Sequence, residues 1–268
     1  MKPVRLFQLL SVALVSVGIT QAIAQSPQEP TLPSVSASST YIAQANQSAQ
    51  PVPQQSFTAA NNLKITVKQV TPYNQETDLQ ILCFFKHKAS GDKVLSAIAD
   101  LDKQLGGVIS SLRNSGDFVG NELETLWFVP PSNSIKPKTV LLIGLGDEQT
   151  LSLEKMHRIG TVALREAVKL KATRVSFAPG LRDQGNAKLD TGDVASAVIQ
   201  NVILAYNTEK QLQKQGLAQP FTINEWVIEA GPDYYKQTVA KIEQGVALAN
   251  NKVATRKPVS YITNRSLA

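Results

Sequence analysis

The sequence predicts an α/β fold built on a mixed, partly parallel sheet with helices on both faces. Three observations predict it. Apolar runs of strand length alternate with helical stripes through the second half of the chain, the order that winds strand, helix and strand into parallel units. Two runs, Leu79 to Phe85 and Thr139 to Ile143, are nearly all apolar, as strands buried on both faces are. No internal repeat competes with that alternation.

Each element has its own signal. Leu63, Ile65 and Val67 alternate with polar neighbours over Leu63 to Val70, a strand with one exposed face. Leu79 to Phe85 follows as a buried strand. Val94, Leu95, Ile98, Leu101 and Leu105 recur at helical spacing over Lys93 to Leu105, and Gly106-Gly107 stops that helix. Val108 to Leu112 begins a short second helical turn. Glu122 to Val129 reads as a strand ended by Pro130-Pro131. Thr139 to Ile143 runs into Gly144-Leu145-Gly146-Asp147. A helix over Leu153 to Leu170 places Met156, Ile159, Ala163, Ala167 and Leu170 on one stripe, with Lys155, Arg158, Arg165, Glu166 and Lys169 elsewhere and Ser152 as N-cap. Val175 to Ala178 is a strand ended by Pro179-Gly180. Asp193 to Tyr206 is a helix with few polar positions, Phe221 to Ile228 a strand, and Asp233 to Ala249 a last amphipathic helix.

The chain has 268 residues, and they divide by composition. Residues 1–24 read as a signal peptide: Lys2 and Arg5 open it, an apolar stretch runs from Leu6 to Ile19, and Ala22-Ile23-Ala24 places small residues where a signal peptidase reads. That stretch is shorter than the roughly 20 residues that span a bilayer, so the expectation is cleavage before Gln25 and no membrane segment afterwards. The expected location is the periplasm or the medium. Residues 25–60 are rich in Ser, Gln, Pro and Ala with Glu29 the one charged residue, a composition expected of a disordered linker. A folded domain is expected over 61–250 and a basic tail over 251–268.

Charge and cysteine content narrow the function. The formal net charge is +6, and +4 without Lys2 and Arg5. Lys252, Arg256, Lys257 and Arg265 lie in the tail without an acidic neighbour, and the expectation is a solvated tail with no nucleic-acid binding. Cys83 is the one cysteine, which excludes an internal disulfide, and it sits inside a buried strand as an inert core thiol.

Catalytic chemistry has little to stand on. A metal-dependent hydrolase needs carboxylates or histidines converging on ions. The two histidines, His87 and His157, belong to no His-x-x-x-His or His-x-x-Glu pair and read as surface residues. No Gly-x-Ser-x-Gly elbow is present, and Cys83 has no cation beside it in its strand to make a thiolate. Asp183, Asp190 and Asp193 lie close enough in sequence to pair as acid and base, yet a loop and helix start favour capping and solvation for them. No catalytic, cofactor-binding or metal-binding residue is therefore expected, and no cofactor. The one candidate ligand loop is Gly144, Leu145 and Gly146, between a buried strand and a helix, where backbone N–H groups could meet an anion. Gln149 stands where a dinucleotide fingerprint has its third glycine, and a tight structural turn is the competing reading.

Several stretches in order resemble the N-terminal domain of the leucyl aminopeptidase family. They are Leu101-Asp102 with Gly106-Gly107, Gly116-Asp117-Phe118-Val119-Gly120, Val140 to Gly146, Ile203-Leu204-Ala205-Tyr206-Asn207, and Gly245-Val246-Ala247-Leu248-Ala249-Asn250. The resemblance runs over about residues 61–265 and implies a three-layer, macro-domain-like fold. It also implies a domain that sits beside a catalytic one and helps assemble hexamers. The two-metal peptidase chemistry belongs to that other domain, which this sequence is expected to lack. Asn207-Thr208-Glu209-Lys210 only echoes its Asn-Thr-Asp-Ala-Glu-Gly-Arg segment. Asn121 stands where the family often has lysine, and Asn251 to Thr255 replaces its Arg-Asp-Leu-Val-Asn. The expectation is an exported, non-catalytic binding or assembly module, with a homo-oligomer or an exported peptidase as partner. The alternatives are a regulatory or split subunit of an exported aminopeptidase and a module for a small nucleotide-like ligand.

Overall fold

The computed structural model describes residues 51–257 and residue 260. The expected signal peptide, most of the expected linker and the end of the basic tail lie outside the described residues. The elements in chain order are β1 (Gln54–Thr58), β2 (Lys64–Lys68), β3 (Leu79–Phe85), α1 (Ser96–Gln104), α2 (Val108–Ser115), β4 (Thr125–Phe128), β5 (Val140–Gly146), α3 (Leu153–Lys169), β6 (Arg174–Ala178), α4 (Thr191–Lys214), β7 (Glu225–Glu229) and α5 (Tyr235–Ala254).

The strands form one seven-stranded sheet in the order β1-β2-β7-β6-β3-β5-β4. From β2 to β5 every neighbouring pair is parallel, while β1 and β4 close the two edges antiparallel. Parallel strands need both faces covered, and residue parity along β3 shows how. Leu79, Ile81, Cys83 and Phe85 join Val175, Phe177, Trp226 and Ile228 in a core beneath α3, α4 and α5. Leu82 and Phe84 join Val140, Leu142 and Ala178 in a second core with Ile98 of α1, Ile109 of α2 and Phe118. Helices thus lie on both faces, in three layers.

α4 lies between α3 and α5, which is why so few of its positions are polar. Val198, Ile199, Val202 and Ile203 are fully buried, and each contributes about 1.5–3 kcal/mol by leaving water. Gly160 of α3 allows the close approach: a Cβ there would lie 2.3 Å from the Val198 carbonyl oxygen. Three-residue 3-10 turns punctuate the loops at Glu148–Thr150 and Arg182–Gln184.

The structure moves both ends of the folded domain. The expected linker over 25–60 is corrected at its end: Gln54–Thr58 is a strand, paired residue for residue with β2. Composition hid it because an edge strand buries little, and four of its five residues are exposed. The expected start of the tail at 251 is corrected to the end of α5 at Ala254, where Asn251, Lys252 and Val253 are still helical. α4 runs on through polar Thr208 to Lys214, past the apolar stretch that sequence periodicity could follow. Glu122 to Glu124 is a turn rather than the start of β4.

Candidate functional site

Gly144, Leu145 and Gly146 are the last three residues of β5, and all are buried. Phe84 pairs with Gly144 and Phe85 with Gly146, which leaves Leu145 as the extra residue of a bulge. The Gly144 N–H donates to the Glu124 carbonyl at 2.8 Å and the Gly146 N–H to the Gly120 carbonyl at 2.9 Å. A Cβ on Gly144 would sit 1.8 Å from the Asn121 oxygen, and Gly146 has φ of 70°, a left-handed conformation that glycine tolerates. The expected ligand loop is therefore corrected to a covered bulge whose glycine donors are already taken. Sequence order could not show that segment 120–124 lies over it. Lys155, which lies off the apolar stripe of its helix, is nevertheless buried beneath that loop. Its Nζ donates to the Leu145 carbonyl at 2.8 Å and to Thr150 Oγ1 at 2.6 Å.

The other candidates separate from one another. His87 Nδ1 lies 3.0 Å from Asp92 Oδ2, which also takes Arg113 Nε, so this histidine belongs to a half-buried ionic cluster rather than to open surface. Burial works to raise the Asp92 carboxyl, but hydrogen bonds from Arg113 and His87 outweigh it and hold the group below the usual carboxylate range. His157 is half-buried on α3. Burial pushes the Cys83 thiol far up, which removes the thiolate at neutral pH. Asp190 caps α4, accepting from the Asp193 N–H at 3.0 Å, while Asp193 pairs with Lys241 at 2.7 Å. Asp183 stands apart, its carboxyl raised by burial and lowered by the Ala97 N–H. Among the described residues no three His, Cys, Asp or Glu side chains gather in a group that could hold a metal ion. Nor is any helix long and apolar enough to cross a membrane.

A cleft opens elsewhere, at the C-terminal ends of β6 and β7. Open α/β sheets hold their ligands beyond these strand ends. Its volume is about 310 Å³, and its walls come from Ala178 to Asp183, Val70 to Pro72, Ser96 and Ala97 on α1, and Thr191, Val194 and Ala195 on α4, with Glu229 at the end of β7 and Ala230 to Pro232 after it. A more open hollow of about 620 Å³ adjoins it across Val70, Thr71, Ala230, Gly231 and Pro232, and carries Lys68, Glu76 and Lys136. Where β6 meets α4, the chain turns through Pro179-Gly180 and a 3-10 turn, so the backbone leaves the sheet and the strand ends stay open.

Glu229 is the polar group of this cleft that sequence reading missed. Ser176 Oγ donates to its Oε1 at 2.6 Å, and the Gln80 side chain lies against the same carboxyl. Burial dominates and pushes the group up to about 7, with the hydrogen bonds and Lys68 acting downward and Asp183 upward. A signal for it did exist. Gln80 is the one polar residue inside the apolar run of β3, and Ser176 the one between apolar neighbours in β6. Both are fully buried, side by side, facing Glu229.

Comparison with known proteins follows the same outline. Residues 81–214 match the model of the cytosol aminopeptidase family, N-terminal domain. A probable cytosol aminopeptidase of Persephonella marina is 30% identical over 181 residues, which cover 66% of this chain and 35% of the relative. One of Alkaliphilus oremlandii is 28% identical over 64% of this chain and 34% of its own length. The chain thus spans about a third of the curated relatives it matches. Among solved structures, a tomato leucine aminopeptidase mutant aligns with TM-score 0.51 at 18% identity, over 71% of this chain and 36% of that one. An Oceanobacillus iheyensis macrodomain mutant aligns with TM-score 0.51 at 11% identity, over 75% of this chain and 98% of that one. At such identities the two structures share the fold alone. The matched residues run from within β3 to the end of α4, through the sheet centre and helices on both its faces, and the chain belongs to the cytosol aminopeptidase family through that N-terminal domain.

Proposed function

We propose that this chain is an exported, non-catalytic module of its family that works by binding, through the cleft at the ends of β6 and β7. The cleft is the observation that carries the reading. It is concave, mainly apolar, and holds a few converging polar groups, among them a half-buried acid, which is the make-up of a small-ligand site. Paired-metal hydrolysis would instead need a cluster of ligating side chains. Export rests on the positive start, apolar stretch and small-residue site of residues 1–24.

The test uses the purified chain from residue 25 onward. A ligand screen by thermal shift is expected to yield compounds that raise Tm and move the backbone amides of Leu181, Ala195 and Ala230. Incubation with manganese or zinc is expected to release no N-terminal amino acids from peptides. Metal-stimulated release by the pure protein would overturn the non-catalytic reading. A regulatory or split subunit of an exported aminopeptidase is the second reading. Leu248, half exposed on α5, favours it, because that helix resembles the one leading to a catalytic domain. Co-purification with a separate exported peptidase, lost in Leu248→Asp, would decide for it.

A further inference from the structure

The floor of the cleft holds an unbalanced set of hydrogen-bonding atoms. Glu229 Oε1 accepts from Ser176 Oγ. Oε2 is buried without a partner, and so is Oε1 of Gln80, whose side chain lies against that carboxyl. With the Gln80 amide oriented as it stands, a Glu229 carboxylate leaves Oε2 and the Gln80 oxygen each buried without a donor, which is costly, whereas a turned amide would donate to the carboxylate and lower it. One proton on Oε2 removes both deficits, since a carboxylic acid donates to the Gln80 oxygen.

The charged groups around it point the same way. Lys68, at the end of β2, acts on Glu229 as a cation and Asp183, from the turn after β6, as an anion, while Ser176 and Gln80 are neutral. Arg182 is on the cleft wall, but its Nη1 donates to the Asn186 carbonyl at 2.9 Å and its Nη2 to the Leu189 carbonyl at 3.0 Å. The N-terminus of α4 already holds the Asp190 carboxylate. An entering anion would meet the Asp183 carboxyl on the wall, with the wall's guanidinium already hydrogen-bonded to the Asn186 and Leu189 carbonyls.

We propose that the cleft takes an uncharged, largely apolar ligand, seated over a neutral Glu229 acid held between Ser176 and Gln80. The proposal rests on the binding reading above and adds the class of ligand. The apolar wall of Leu181, Val194, Ala195 and Ile228 contacts the ligand body. The burial that raises the Glu229 carboxyl to about 7 keeps the acid form through mildly acidic conditions.

Two measurements test it. Benzyl alcohol, benzoate and ADP are titrated separately into ¹⁵N-labelled protein at about pH 6, below the Glu229 transition. The alcohol is expected to move the amides of the cleft with a Kd at least about tenfold below those of the two anions. Benzoate or ADP bound there as tightly as the alcohol would overturn the ligand class and leave the cleft standing as a binding site. Unmoved cleft amides with all three would remove both.

The proton is read without ligand, from the urea midpoint across about pH 5 to 8. Wild type is expected to lose stability toward pH 7 and then level off. Glu229→Gln, whose amide donates to Gln80 in the acid's place, is expected to lack that fall. Parallel curves would mean that the Gln80 amide is turned to donate to a carboxylate, and would overturn the proposal. Should the variant not fold, the ¹³C carboxyl resonance of Glu229 in wild type decides: a transition near 7 supports the neutral acid, and one in the ordinary carboxylate range overturns it.

Discussion

Gly144 shows what single residues settle in this fold. Its position in a Gly-Leu-Gly sequence invited a ligand, but the space beside it is filled by the Asn121 carbonyl. Gly144→Ala is expected to cost about 3 kcal/mol, because a rigid backbone oxygen must move to admit the methyl group. Urea denaturation monitored by circular dichroism checks this, and a loss below about 0.5 kcal/mol would show that segment 120–124 packs elsewhere. Lys155 carries the same lesson in reverse. Helical periodicity places it off the apolar stripe, and most lysines stay in contact with water. Its long stem instead reaches under the Gly144–Gly146 bulge and caps the Leu145 carbonyl, a contact set by tertiary geometry that no local pattern encodes. Cys83, by contrast, was legible as a core thiol, because seven consecutive buried positions leave a side chain no route to solvent.

At the scale of elements, what the sequence revealed depends on burial. β3 and β5 were read directly, since two-sided burial writes a continuous apolar run. α3 was read from its stripe and its Ser152 cap, whose Oγ accepts from the Lys155 N–H at 3.2 Å. β1 was missed because an edge strand shares only one ladder and need not be apolar. It is nevertheless tied in place: Asn250 of α5 accepts from the Ala60 N–H at 2.8 Å, and Phe57 packs against the core. A chain beginning at residue 61 would lose this ladder and leave β2 as a bare edge. Compared with one beginning at residue 51, it is expected to be less stable by about 2 kcal/mol. Its Tm would fall by about 5 °C in calorimetry, and it would aggregate more readily. Equal melting temperatures would show β1 to be dispensable. The cleft was illegible for a related reason. Its walls come from loops after β2, β6 and β7 and from the start of α4, which only the strand order brings together.

For the molecule as a whole, two carboxyl groups at different depths set opposite limits on stability. Asp78 anchors the strand ends near Thr173 and Arg174. Partial burial acts to raise it, but Lys138, the Thr173 hydroxyl and two backbone N–H groups outweigh that and hold it well below the usual carboxylate range. A depressed group stabilises the fold above its unfolded pKa and loses that contribution as pH falls, so Asp78 steepens acid unfolding below about pH 4. Glu229 has the reverse sign. Raised from 4.5 to about 7 by burial, it holds its proton in the fold after the unfolded chain has released it. Its contribution is complete below about pH 4.5 and falls by roughly 3 kcal/mol as pH climbs to 7, after which both states are ionised and the curve flattens. The two windows leave a maximum between them, at about pH 5, rather than at the basic isoelectric point. Urea midpoints measured from about pH 3 to 8 should trace that dome. Asp78→Asn should lower the dome and flatten its acid side while leaving the neutral side unchanged, because the two carboxyls stand at opposite ends of the parallel strands: Asp78 precedes β3, and Glu229 closes β7. A curve that rises steadily from pH 5 to 8 would mean that Glu229 is ionised in the folded protein, with water or a cation at its Oε2.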